Sequence, residues 1–146
     1  MKVFLQREAN RNIKKMQKIR ATPKGLLDEW VSFVNEKNMN GLLALYSVDS
    51  VLIPTFSNRI LNTPEKIRDY FEKLCSRECL NVNLHERTLL HREIQNDIYS
   101  LSGIYCWRFA VDGELLTFEA HFSYVINLSF PNPILHHHSS QIPRML

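Results

Sequence analysis

The hydrophobic positions change period about half-way along the chain, from a spacing of three and four residues to a spacing of two. Behind Thr22-Pro23, a hydroxyl cap with proline at the first helical position, Leu26, Leu27, Trp30, Phe33 and Val34 fall on one stripe. That spacing predicts a helix. Asn40-Gly41 then precedes Leu42, Leu43, Leu45 and Tyr46, which read as a short second helix. "VLIPTF" at 51–56 is a brief strand, and Pro54 confines it to a sheet edge or a bulge. Thr63-Pro64 repeats the cap signal. Ile67, Tyr70, Phe71, Leu74 and Cys75 follow at i, i+3, i+4, i+7 and i+8, a third amphipathic helix.

After Arg77 the pattern alternates. Residues 80–94 alternate moderately, and 97–110 place Tyr99, Leu101, Tyr105, Trp107 and Phe109 on one face. Asp112-Gly113 marks a hairpin turn, and the return strand carries Leu116, Phe118, Ala120, Phe122, Tyr124 and Ile126 on one face. "SFPNP" then turns the chain into a last strand over 134–142. Helices followed by long antiparallel strands predict an α+β domain, with about three N-terminal helices on one face of a curved sheet.

Composition narrows the class. A chain of 146 residues with 45% hydrophobic and 23% charged residues is one ordinary globular domain with a sizeable core. Its charge is unevenly placed. Residues 1–20 hold seven Lys/Arg against Glu8 alone (+6), and the remainder holds 11 against 14 (−3). We therefore divide the chain into a basic arm, 1–21, and a domain, 22–146. A mildly acidic body argues against nucleic-acid binding. The arm reads as a helical or frayed extension, and membrane contact through it is not expected. Three cysteines, Cys75, Cys79 and Cys106, form neither an even set nor a zinc pattern, which fits a reducing, cytoplasmic setting.

The last strand carries the most unusual residues, "ILHHHSSQIP". Three histidines between Leu135 and Ser139 interrupt an apolar segment, which is not the context of a purification tag. Strict alternation divides the strand into Ile134, His136, His138, Ser140, Ile142 on one face and Leu135, His137, Ser139 on the other. A one-residue register error would exchange them. His136 and His138 could supply two zinc ligands. The third would have to come from elsewhere, and His121 falls on the face opposite the aromatic one of its own strand.

The order of elements, with "ALYSVDSVLIPTFSN" and "HHHSS", resembles the nuclear-transport-factor-2-like cone fold, and within it the calmodulin-dependent kinase II association-domain group. The combination "LIPTFSN", "TPEKIRDYF", "SGIYCW" and "HHHSS.IP" is similar to the iota-class carbonic anhydrases, whose members include enzymes working without a bound metal. The chain departs from its relatives in having "SFPNP" where they usually carry a "DGRW"-like turn. The resemblance implies reversible hydration of carbon dioxide to bicarbonate in the cone pocket, with no cofactor assigned. It implies His138 as general base or proton shuttle, with Ser140, Thr55, Tyr70 and Tyr105 as hydrogen-bonding partners. Trp107, Phe118, Phe122 and His136 would line the substrate site. Each has a plainer reading: His138 as a satisfied core histidine, Thr55 as a turn hydroxyl, Tyr70 and Tyr105 as packing rings, Arg59 as a surface cation. The alternative function is a non-catalytic module that oligomerises, as a homodimer or larger, and binds a small ligand. Ketosteroid-isomerase-like chemistry needs a carboxylate inside the cone, and only Glu114, beside the turn, lies on the proposed face.

Overall fold

The computed structural model describes residues 1–19 and 22–143, with the side chains of 15–19 left aside. The arm forms a helix, α1 (Lys2–Ile19), whose side chains through Lys14 are exposed. In the body, α2 (Pro23–Asn35) starts where Thr22 accepts from the Gly25 N–H, and α3 (Met39–Ala44) starts where Asn38 accepts from Gly41. The strand β1 (Tyr46–Ile53) follows at once. Tyr46, expected on the second helix, is therefore a strand residue. α4 (Pro64–Cys75) is capped by Thr63 and buries Ile67, Phe71 and Leu74, the predicted stripe.

The remaining chain is sheet. β2 (Asn81–Leu84) and β3 (Leu90–Gln95) are separated by one turn of 3₁₀ helix and pair with different stretches of the long strand β4 (Ile98–Val111). β4 and β5 (Glu114–Asn127) form one continuous hairpin. Its turn places Asp112 at φ 51° and Gly113 at φ 79°, the left-handed pair that a two-residue hairpin needs. β6 (Ile134–Gln141) runs antiparallel to β5 and parallel to β1, giving the order β1-β6-β5-β4-β2. β1 is thus an edge strand, and Pro54 stands just beyond its end.

One face of this curved sheet meets α2 and α4. Trp30 of α2 stacks on Tyr105 of β4 at 5.7 Å, and Tyr46 of β1 leans on Phe71 of α4 at 5.6 Å. Gly103 has no side chain for a packing reason. A Cβ there would lie 2.8 Å from the Phe122 ring on the neighbouring strand. Burial along β4 and β5 follows the expected alternation, with Leu101, Tyr105, Trp107, Phe109, Ala120, Phe122, Tyr124 and Ile126 in the core.

The register shifts in β1 and β3 as well, but the shift that bears on the histidines is in β6. On β6, Ile134 pairs with Ile126 but His136 already pairs with Val125, so Leu135 is an extra residue opposite one partner. This bulge reverses the parity of the rest of the strand. Ile134 and His137 both face inward although three positions apart, and the strand reads buried, half-buried, half-buried, buried, exposed, buried over 134–139.

Candidate functional site

Because of that bulge, the faces of the last strand are exchanged relative to expectation. His137 and Ser139 point into the core, at 2% and 3% exposure, while His138 and Ser140 point to solvent. The assignment of His138 and Ser140 to the pocket is therefore corrected by one residue. His136 is half-buried and does not line the cavity. Phe118 and Phe122 also stand back from it: Phe118 packs on Phe109 and Phe56, and Phe122 stacks on Tyr105 at 4.7 Å. Thr55, Tyr70, Tyr105 and Trp107 line it together with His137 and Ser139.

His137 is held from four directions. Tyr124, its direct cross-strand partner, lies flat against the imidazole at 3.9 Å. The Trp30 indole meets it edge-on at 5.5 Å. In the ring plane, Nδ1 is 2.8 Å from the Tyr46 hydroxyl and Nε2 is 3.2 Å from the Tyr105 hydroxyl. A buried imidazole therefore has a partner at each nitrogen, as burial of a polar ring demands.

The direction of these hydrogen bonds follows from one fixed donor. An indole N–H can only donate, and Trp30 Nε1 donates to the Tyr46 hydroxyl at 3.0 Å. The Tyr46 oxygen could accept a second time, but its own buried proton needs an acceptor, and Nδ1 of His137 at 2.8 Å supplies it. Nδ1 accepts, so the neutral ring carries its proton on Nε2 and donates to Tyr105. Tyr105, accepting from Nε2, lies beside Ser139 and Thr55, whose hydroxyls are hydrogen-bonded to each other. The chain Trp30, Tyr46, His137, Tyr105 runs one way, from α2 to the cavity, where the Ser139 and Thr55 hydroxyls stand.

Electrostatics agree with a neutral chain. Burial, followed by the neighbouring His136 and His138, holds the His137 pKa well below its ordinary value. Burial likewise pushes the phenols of Tyr46, Tyr105 and Tyr124 upward. Tyr70, half-buried on α4 with its hydroxyl beside the Phe56 backbone, is raised for the same reason. Two buried polar atoms nearby lack a hydrogen-bond partner: the Tyr124 hydroxyl and Trp107 Nε1, which faces the Tyr105 hydroxyl without bonding geometry. The enclosed space among these groups is only ≈ 10 Å³, about the room of one water.

Carboxylates are missing from this lining, and Glu114 is exposed at the hairpin. His121 is exposed on the outer face, so it brings no third ligand to His136 and His138. Among the described residues no three His, Cys, Asp or Glu side chains converge. Sequence reasoning missed Trp30 and Tyr46 as members of the site. Tyr46 is assigned to the core by its strand position, which the apolar run 42–46 obscured. Trp30 looked like plain packing on its stripe, and only a buried partner for its N–H marks it out.

Comparison with known proteins places this architecture. The family model of the calcium/calmodulin dependent protein kinase II association domain matches residues 23–143. The chain belongs to that family. α1 lies outside the matched span. No curated protein sequence matches. Among solved structures, a protein from Xanthomonas campestris assigned to the same association domain is 25% identical, with TM-score 0.74, covering 84% of this chain and 86% of its own. The beta subunit of benzoate 1,2-dioxygenase from Burkholderia mallei has TM-score 0.67 at 13% identity, covering 82% of this chain and 87% of its own. A protein from Novosphingobium aromaticivorans assigned as an aromatic ring hydroxylase has TM-score 0.73 at 11% identity, covering 87% and 91%. The last two share the fold alone. The cone architecture is thus established for this association-domain protein.

The depressed pKa of His137 makes a prediction about stability. The unfolded imidazole titrates near 6.5, so below that pH the unfolded chain binds a proton that the folded one refuses. The stabilisation is complete above about pH 6.5 and is lost as pH falls toward the folded value, by up to about 1.4 kcal/mol per pH unit. Melts between pH 8 and 5 should show wild type losing stability with a steeper slope than His137→Leu. Equal slopes would show that His137 is not buried in the neutral form.

Proposed function

We propose that this association-domain protein catalyses the reversible hydration of carbon dioxide at the Ser139/Thr55 end of the hydrogen-bond chain. The observation that carries the reading is a set of hydroxyl and indole groups around a small space with no carboxylate among its lining residues. Trp107 Nε1 is buried and unpaired, and the hydroxyls of Thr55, Ser139 and Tyr105 converge beside it. Such donors suit an oxyanion that develops during a reaction. In hydration the water oxygen bonds to carbon, one C=O electron pair moves onto an oxygen, and the water's proton leaves to a solvent base. Thr55 and Ser139 hold the water, while Tyr105 and Trp107 donate toward the charge that forms. His137 is a positioning residue in this account: it holds Tyr105 as a donor, and burial makes it a poor proton acceptor. The apolar walls, Leu52, Pro54 and Phe71, accommodate carbon dioxide once the Tyr70 side yields, since ≈ 10 Å³ holds the water alone. The resemblance of the "LIPTFSN" and "HHHSS" segments to iota-class carbonic anhydrases supports the same reading.

Stopped-flow hydration assays on chelator-treated protein test it. Ser139→Ala should lower the rate about 10²-fold, the cost of a misplaced reactant, and Ser140→Ala and His138→Ala should match wild type. Activity that vanishes with His138→Ala and survives Ser139→Ala would overturn the site. No hydration by the wild type, with or without added zinc, would overturn the reaction.

A second reading, a self-associating module without catalysis, is favoured by the small volume of the histidine cavity and by exposed apolar side chains on the sheet. Leu90 and Ile94 of β3 are 73% and 61% exposed, and Leu115 of β5 is 52% exposed. Apolar groups aligned on a strand are commonly covered by a second copy in a symmetric assembly. Light scattering at micromolar concentration should return at least twice the chain mass of 17.2 kDa. A monomeric mass that persists in Leu90→Lys and wild type alike would contradict self-association.

A further inference from the structure

Apart from the histidine cavity, a groove of ≈ 740 Å³ lies between α4 and the 56–61 loop. Four cations line it, Arg59, Lys66, Lys73 and Arg77, against the single carboxylate Asp69. Among the described residues none of the four is ion-paired. Lys66 donates to the Asn62 side chain, and the Arg77 guanidinium lies 5.8 Å from the centre of the Phe109 ring.

This concentration of charge is not a consequence of composition. The chain beyond residue 20 carries a net −3 (11 Lys/Arg, 14 Asp/Glu), yet the groove carries +3 (four cations, one carboxylate). Most of the excess comes from Arg59 and Arg77, because α4 itself presents Lys66, Asp69 and Lys73 to the groove. Lys66 and Lys73, two turns apart, face the groove, whereas Glu65 and Glu72 of the same helix do not line it. The floor is apolar: Phe56, Tyr70 and Leu74 form it, and Ile60 stands at its rim with 62% of its surface exposed.

We infer that this groove binds a small amphipathic organic anion: one oxyanion group, carboxylate or equivalent, carried on an apolar ring or chain. The volume falls within the range of about 300–1,000 Å³ usual for small-molecule sites. Unpaired cations over an apolar floor match both halves of such a ligand, whereas a bare inorganic anion would leave Ile60 and Leu74 wet. The histidine cavity, with room for one water, cannot hold it. Phe56 and Tyr70 form the groove's inner side, and Tyr70 also lines the histidine cavity. The inference stands whether or not hydration occurs at Ser139.

The probe is the aromatic sulfonate 1-anilinonaphthalene-8-sulfonate, followed by fluorescence at low salt with the full chain. The expected result is saturable binding, weakened at least tenfold by Lys66→Glu/Lys73→Glu and by Ile60→Asp. Arg92→Glu on the remote strand β3, and Ser139→Ala in the histidine cavity, should leave it unchanged. Benzoate should displace the probe; benzyl alcohol and inorganic phosphate should not. Melts of each variant show that the fold is retained, since all the groove substitutions are at exposed positions. Binding that survives the double charge reversal in folded protein overturns the inference. So does displacement by benzyl alcohol, which would mark a purely apolar site, or by phosphate as effectively as benzoate, which would mark a charge-only one.

Discussion

A neutral imidazole removed from water must be bonded at both nitrogens, and the placement of His137 rests on that requirement. An unmet partner there would cost about 1–3 kcal/mol. Three segments far apart in sequence meet it: Trp30 on α2 fixes the Tyr46 hydroxyl, Tyr46 on β1 bonds Nδ1, and Tyr105 on β4 bonds Nε2. The same contacts seat the helix layer on the sheet, because the Trp30 ring that starts the chain is also the one stacked on Tyr105. Packing and hydrogen-bond direction are thus set by the same residues. A change to any of them alters both the core and the hydroxyls at Ser139 and Thr55.

Polarity is the link between this core and chemistry. With Trp30 donating to Tyr46 and the buried Tyr46 proton placed on Nδ1, the ring donates from Nε2 to Tyr105, whose own proton is left for the cavity side. A site built to accept protons would need a carboxylate or a solvated histidine there, and the cavity is lined by neither. Outside, the groove beside α4 offers positive charge on an apolar floor, and Tyr70 belongs to both spaces. The protein therefore has two anion-favouring regions of different scale, one shaped for a few atoms and one for a small organic molecule.

Much of this was legible from the sequence. The helical stripes of α2 and α4, the Asp112-Gly113 hairpin and the inward aromatics of β4 and β5 follow from period and turn chemistry, and the family resemblance named the cone. The histidine strand stood out in the sequence, but its register did not. Leu135 looks like one more apolar strand residue, and nothing in its identity announces a bulge. Paired against Val125 and Ile126, it shifts every following side chain to the other face, exchanging His138 and Ser140 for His137 and Ser139. Tyr46 was obscured for a related reason, since a helix ending at Ala44 and a strand starting two residues later leave no sequence gap. The groove cations were visible individually, but only the loop's approach to α4 brings Arg59 opposite Lys66 and Lys73.

The central claim is the one-way hydrogen-bond chain, and nitrogen NMR of the His137 ring tests it most directly. With ¹⁵N-labelled imidazole, the account predicts a proton bound at Nε2 and a bare nitrogen at Nδ1, both unchanged from pH 8 to pH 5. A proton resident on Nδ1, or a ring that titrates near the ordinary histidine value of about 6.5, would contradict it.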